Sequence, residues 1–108
     1  MKKNSAEVGG YFRQRLEELK EKYTVIGDVR GMGLMQALEL VEDRTTKKPS
    51  TSTNALMEEA RKRGLLVGKG GFYGNVIRMS PPLNISKADV DEAARILDES
   101  FGALKQTQ

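Results

Sequence analysis

The sequence predicts an α/β (α+β) fold: a small, largely antiparallel sheet with helices packed on it. Three observations lead there. Apolar residues recur at helical spacing near both ends of the chain, the period shortens to that of strands between them, and turns rich in glycine and proline separate the strands. At 108 residues and 12.0 kDa the chain makes one domain, 1–108, with a single core between two layers.

The first element is a helix over residues 4–23. Val8, Phe12, Leu16, Leu19 and Tyr23 fall on one stripe, and charged residues fill the opposite face. Asn4 with Glu7 three residues on has the form of a capping box. Two strands are expected next, Val25 to Val29 and Leu34 to Val41, joined through Arg30-Gly31-Met32-Gly33, where the glycines permit a sharp bend or bulge. Leu34, Leu38 and Leu40 point one way, and Met35, Ala37 and Val41 the other. Both faces of the sheet are therefore expected to be at least partly covered.

Residues 43–53, DRTTKKPSTST, read as an exposed loop. A second helix is expected over 54–63, stopped by Gly64. GLLVG reads as a short buried strand, GKGGFYGN as a glycine-rich loop, and NVIRMS as a strand ended by Pro81-Pro82. Ser86 and Asp89 form a Ser-x-x-Asp capping signature. Behind it Val90, Ala93, Ala94, Leu97, Phe101 and Leu104 make the apolar stripe of the last helix.

Composition excludes several functions. There is no cysteine and no histidine, which removes disulfides, Cys/His zinc sites and Ser-His or Cys-His nucleophile pairs. The lack of cysteine fits a reducing compartment, and a cytoplasmic location is expected. No apolar run reaches the ~20 residues of a membrane span, and MKKNSAEVGG has no apolar stretch behind its lysines, so it is not a secretory signal. The net charge of +3 is spread among interleaved acids, the pattern of a solvated surface. Carboxylate pairs such as Glu17-Glu18 lie on polar helix faces, and the five methionines read as core filler.

Arg78 stands out among the remaining polar residues. It interrupts an apolar strand between Ile77 and Met79. A guanidinium presents a rigid fork of donors that matches a carboxylate with two parallel hydrogen bonds. The alternative is an edge-strand arginine with its stem on the sheet and its head in water. Position alone leaves both readings open.

The glycine-rich stretches fail the phosphate-binding patterns. Gly64 and Gly68 have three residues between them where a P-loop needs four, and Lys69 is followed by Gly70 rather than Ser or Thr. Gly31-Met32-Gly33 is followed by a strand where a dinucleotide fingerprint opens a helix. Lys69-Gly70 with Phe72 and Tyr73 is a faint echo of an RNA-recognition strand, but Gly71 intervenes and Val25 to Val29 supplies no second aromatic strand.

Three segments together resemble the C-terminal small domain of class III pyridoxal-phosphate-dependent aminotransferases, a fold type I family. They are Gly27-Asp28-Val29-Arg30-Gly31-Met32-Gly33-Leu34-Met35, Arg63-Gly64-Leu65-Leu66-Val67 and Ile77-Arg78-Met79-Ser80-Pro81-Pro82-Leu83. The resemblance runs from about Ala6 to Leu104, and Gly68 to Arg78 is most similar to the alanine–glyoxylate aminotransferase 2-like branch. It implies transfer of an amino group between an amino acid (alanine or a β-amino acid) and a 2-oxo acid (glyoxylate or pyruvate). It also implies that the cofactor, pyridoxal 5'-phosphate, and its lysine belong to a large domain outside this sequence.

On that resemblance Arg78 binds a substrate carboxylate, and Phe72, Tyr73 and Asn75 border the substrate entrance. Arg30 and its glycines stay structural. The implied partners are the large domain of the same parent chain and, in the parent, a second subunit of a homodimer. The isolated chain is expected to be inactive, without cofactor, and a monomer or weak self-associate. Two other readings stay open: a free-standing carboxylate-binding or regulatory domain, and an RNA-binding module.

Overall fold

The computed structural model describes residues 2–71, 73–81 and 84–107, with side chains over 7–31, 33–71, 73–81 and 84–105. The chain runs through α1 (Lys2–Lys22), β1 (Ile26–Met32), β2 (Met35–Asp43), β3 (Lys48–Pro49), α2 (Thr53–Lys62), β4 (Gly68–Gly70), β5 (Val76–Met79) and α3 (Lys87–Thr107). The sheet order is β1-β2-β5-β4, every neighbouring pair is antiparallel, and β3 adds to the far end of β2.

The helices share one face of this sheet. Leu16 from α1, Leu56 from α2, and Val90, Leu97 and Phe101 from α3 meet Ile26, Val29, Leu38, Leu40 and Ile77 from the strands in one buried cluster. Burying a side chain of this kind is worth roughly 1.5–3 kcal/mol, so period-3.6 stripes and period-2 strands converge on the same core. Tyr23 stacks on Phe101 with ring centroids 5.4 Å apart. Its hydroxyl donates to Asp98, which ties the end of α1 to α3.

The α3 start forms as the sequence predicts. The Ser86 amide donates to Asp89 Oδ2 at 3.1 Å, and the Asp89 amide donates to Ser86 Oγ at 3.2 Å. Two amide donors at the helix start are thereby satisfied reciprocally. Gly64 has φ +92 just after α2, as a helix stop of this type requires.

Four local expectations need correction. The first helix already includes Lys2, so Asn4 lies inside it and does not cap its start. The two β stretches are strands but lie later than expected, with Leu34 buried in the turn ahead of β2.

The loop 43–53 is not wholly exposed. Lys48 and Pro49 pair with β2, the Ser50 amide donates to the Leu40 carbonyl at 3.0 Å, and Ser50 is buried. Arg44 reaches from this loop to the carbonyls of Tyr23 and Ile26 at 3.1 and 3.2 Å, and also to that of Lys20. It thus satisfies acceptors at the end of α1, in the turn after it and at the start of β1.

The strand read into GLLVG lies one step later. Residues 65–67 join no ladder and Leu66 is 82% exposed, whereas Gly68–Gly70, read as loop, pairs with β5. Apolar residues suggest a strand, but a ladder is made by backbone amides and carbonyls, which glycine also carries.

The two faces of the sheet also differ more than the alternation suggests. Val41 is buried and Ala37 and Glu39 are half-buried, but Met35 is 60% exposed and both Arg30 and Arg78 are exposed. The helices fill the opposite face, so the face bearing Arg30, Met35, Ala37 and Arg78 is left open.

Candidate substrate-carboxylate site

Strand pairing places Arg78. In β5, Ile77 and Met79 are buried towards the helices, so Arg78 between them projects from the open face. Its cross-strand partners are Ala37 on β2 and Gly68 on β4. Both are small, and the arginine stands on a shallow floor between them. Nη2 donates to the Lys69 carbonyl at 3.4 Å, a long contact.

The sequence contains eight arginines. Six of them, Arg13, Arg15, Arg30, Arg61, Arg63 and Arg95, have a carboxylate within 4.0 Å. Arg44 spends its donors on backbone carbonyls. Among the described residues Arg78 has no carboxylate partner, and most of its planar fork remains available to an anion.

Arg30 gives the contrast. It lies in the same row of the same face, one strand beyond Ala37. Asp28 meets its Nε at 3.0 Å and Glu39 meets Nη2 at 2.5 Å, so its charge is compensated within the sheet. The Arg30 pKa is raised by hydrogen bonding to Asp28 and by the charge of Glu39. Its glycine neighbours are conformational. Gly31 has φ +148, and a Cβ there would sit 2.1 Å from the Met35 carbonyl oxygen, which only glycine avoids.

The three loop residues named with Arg78 are placed differently from one another. Tyr73 is 70% exposed, in a turn where Gly71 and Gly74 both have positive φ. Asn75 is 5% exposed and turned into the protein: Nδ2 donates to the Leu40 carbonyl at 2.9 Å, while its own carbonyl accepts from the Leu40 amide at 2.8 Å. Asn75 thus locks the loop to β2 ahead of β5. Phe72 lies outside the described residues.

The described lysines do not fit the role of a cofactor anchor. Capturing an aldehyde needs an amine desolvated in a pocket, and none of the lysines whose side chains are described is buried. Lys69, in the glycine-rich stretch, is exposed and donates to Asn54 Oδ1 at 3.2 Å. Among the described residues no group of three acidic side chains is placed to hold a metal ion.

Sequence reasoning missed two features of the site. One is the structural duty of Asn75. The other is the volume that Gly70 leaves empty beside the Arg78 fork. The glycine is visible in the sequence, but it gains meaning only once β4 is known to pair with β5.

Comparison with known proteins identifies the family and agrees with the fold. The family model for aminotransferase class III matches residues 1–101. The alanine–glyoxylate aminotransferase 2 homolog 2, mitochondrial, of Arabidopsis thaliana is 45% identical over 96% of this chain and 22% of its own length. An alanine/serine racemase of Pyrococcus horikoshii is 39% identical over 92% of this chain and 21% of its own. The crystal structure of an amine transaminase from an uncultivated Pseudomonas species, in its PLP-bound form, superposes with a TM-score of 0.84 at 36% identity, covering 93% of this chain and 23% of that one. The chain spans about a fifth of the length of the curated relatives it matches. Over nearly all of its length, then, this chain belongs to the class III aminotransferase family.

Proposed function

We propose that the chain is the C-terminal small domain of a pyridoxal-phosphate-dependent aminotransferase that moves an amino group between an amino acid (alanine or a β-amino acid) and a 2-oxo acid (glyoxylate or pyruvate). The observation that carries the site assignment is the fork of Arg78 on the open sheet face, which has no carboxylate partner among the described residues. Both substrate classes carry a carboxylate. Two parallel N–H donors from Arg78 would grip and orient it, and that contact would persist while amino acid and oxo acid interchange. Exposed Tyr73 would border the approach to the fork, Phe72 would stand beside it in the chain, and Asn75 would hold their loop in place.

The parent supplies the rest. Pyridoxal phosphate would be the electron sink for the transfer, held by a lysine of the large domain. The open face, with Met35 60% exposed, would meet that large domain, and the parent would be a homodimer. The 108-residue chain alone would be inactive. The compartment proposed is the cytoplasm, on the absence of cysteine; the Arabidopsis relative bears the word mitochondrial in its name.

A second reading, amino-acid racemisation, is favoured by the 39% identity to the Pyrococcus racemase. One assay separates the two. The full-length protein carrying this domain is supplied with L-alanine, with and without glyoxylate. Glycine formed only when glyoxylate is present supports transamination. D-alanine formed without any oxo acid supports racemisation instead.

A further inference from the structure

The Arg78 guanidinium lies across Gly70. A Cβ placed on Gly70 would stand 2.4 Å from Nε, 2.6 Å from Cζ and 2.7 Å from Nη2 of Arg78. Side chains do not approach that closely, so the arginine occupies the volume that any other residue at position 70 would fill. Strand register explains the arrangement. Gly68 pairs with Arg78 and Gly70 pairs with Val76, which makes Gly70 the diagonal neighbour of Arg78 on the same face. Two glycines at a spacing of two leave the open face of β4 as bare backbone. The fork folds outward over that strand, where Nη2 finds the Lys69 carbonyl.

We propose that Gly70 is a positioning residue for Arg78. By leaving its side-chain volume empty it lets the fork lie along β4, and so fixes where and at what angle the substrate carboxylate is gripped. The proposal rests on the reading of Arg78 as the carboxylate clamp. Geometry matters here because a bidentate pair loses much of its strength when the fork is turned or raised.

Gly68 provides an internal control. A Cβ there would meet only the Arg78 carbonyl oxygen at 3.8 Å, an ordinary contact. Neither Gly68 nor Gly70 has a positive φ, so the backbone admits alanine at both positions. The clash at Gly70 is with the far end of a flexible side chain rather than with backbone. Gly70→Ala is therefore expected to fold and to displace the fork.

The experiment compares Gly68→Ala, Gly70→Ala, Arg78→Ala and the double variant Gly70→Ala/Arg78→Ala in the full-length protein. It reads crystal structures and KM for L-alanine, with cofactor occupancy monitored by absorbance. The proposal expects the fork displaced in Gly70→Ala and unmoved in Gly68→Ala. It expects KM raised about tenfold or more by Gly70→Ala, little changed by Gly68→Ala, and no further increase from Gly70→Ala once Arg78 is alanine. An additive effect in the double variant would mean that Gly70 acts on folding or elsewhere, and would overturn the proposal. So would a fork that keeps its place in Gly70→Ala. If Gly70→Ala is silent while Arg78→Ala raises KM, the clamp stands and the positioning role falls. If Arg78→Ala is itself silent, both fall.

Discussion

Replacing Asn75 by alanine separates a structural role from a substrate-facing one. Its side-chain amide is buried and donates to the Leu40 carbonyl at 2.9 Å. Alanine removes that donor and leaves a small void. The Leu40 carbonyl keeps a second donor, the Ser50 amide at 3.0 Å, so no buried acceptor is orphaned. The cost should be one buried hydrogen bond plus a little packing, about 1–2 kcal/mol. For a domain of this size each kcal/mol moves Tm by roughly 4–8 °C. Thermal unfolding followed by circular dichroism should therefore show a drop of about 5–15 °C. Asn75→Asp should be worse at pH 7, because a buried carboxylate would face a carbonyl oxygen, and should partly recover in acid as the carboxyl becomes a donor. An unchanged Tm for Asn75→Ala, combined with a raised KM in the full-length protein, would refute the inward placement and make Asn75 a substrate contact.

Two further expectations concern the junction of α1 with its neighbours. Arg44→Ala removes donors to the Tyr23 and Ile26 carbonyls and a positive charge from the α1 C-terminus; denaturant unfolding should report a loss of about 1–2 kcal/mol, with Arg44→Lys intermediate because it keeps the charge but not the fork. At Asp98, burial pushes the carboxyl up, but the Tyr23 hydroxyl and the Lys22 ammonium together outweigh it and hold the pKa below the ordinary value of 3.8. A depressed folded-state pKa gives stability that is present above pH 3.8 and lost as pH falls through the lower folded value. A pH series of unfolding should show that loss in the unsubstituted chain and a shallower one in Asp98→Asn.

Much of the fold was legible because local chemistry and global packing agree. The α3 stripe from Val90 to Leu104 and the Ser86–Asp89 cap are both local signals, and both are where the sequence puts them. Arg78 was legible as an interruption of an apolar strand. What the sequence hid depends on pairing between distant segments. Gly68–Gly70 carries no side-chain signal for a strand, so its ladder with β5 shows only in three dimensions. Arg44 sits in a polar run that looks solvated, and its partners lie 18 to 24 residues earlier in the chain. Asn75 looked like part of a loop facing substrate, but its fate is set by Leu40, 35 residues away. The proposal that Arg78 grips a carboxylate draws on family resemblance, since strand geometry alone left it balanced against an edge arginine with its head in water.

The carboxylate fork is tested most directly by Arg78→Ala in the full-length protein, with KM for L-alanine and for pyruvate measured beside cofactor occupancy. If Arg78 grips the carboxylate, both KM values rise about tenfold or more while occupancy holds, since a charge-assisted pair is lost and, among the described residues, the sheet loses only the long Arg78 contact to the Lys69 carbonyl. KM values that match those of the unsubstituted protein would contradict the assignment and leave Arg78 a solvated strand residue.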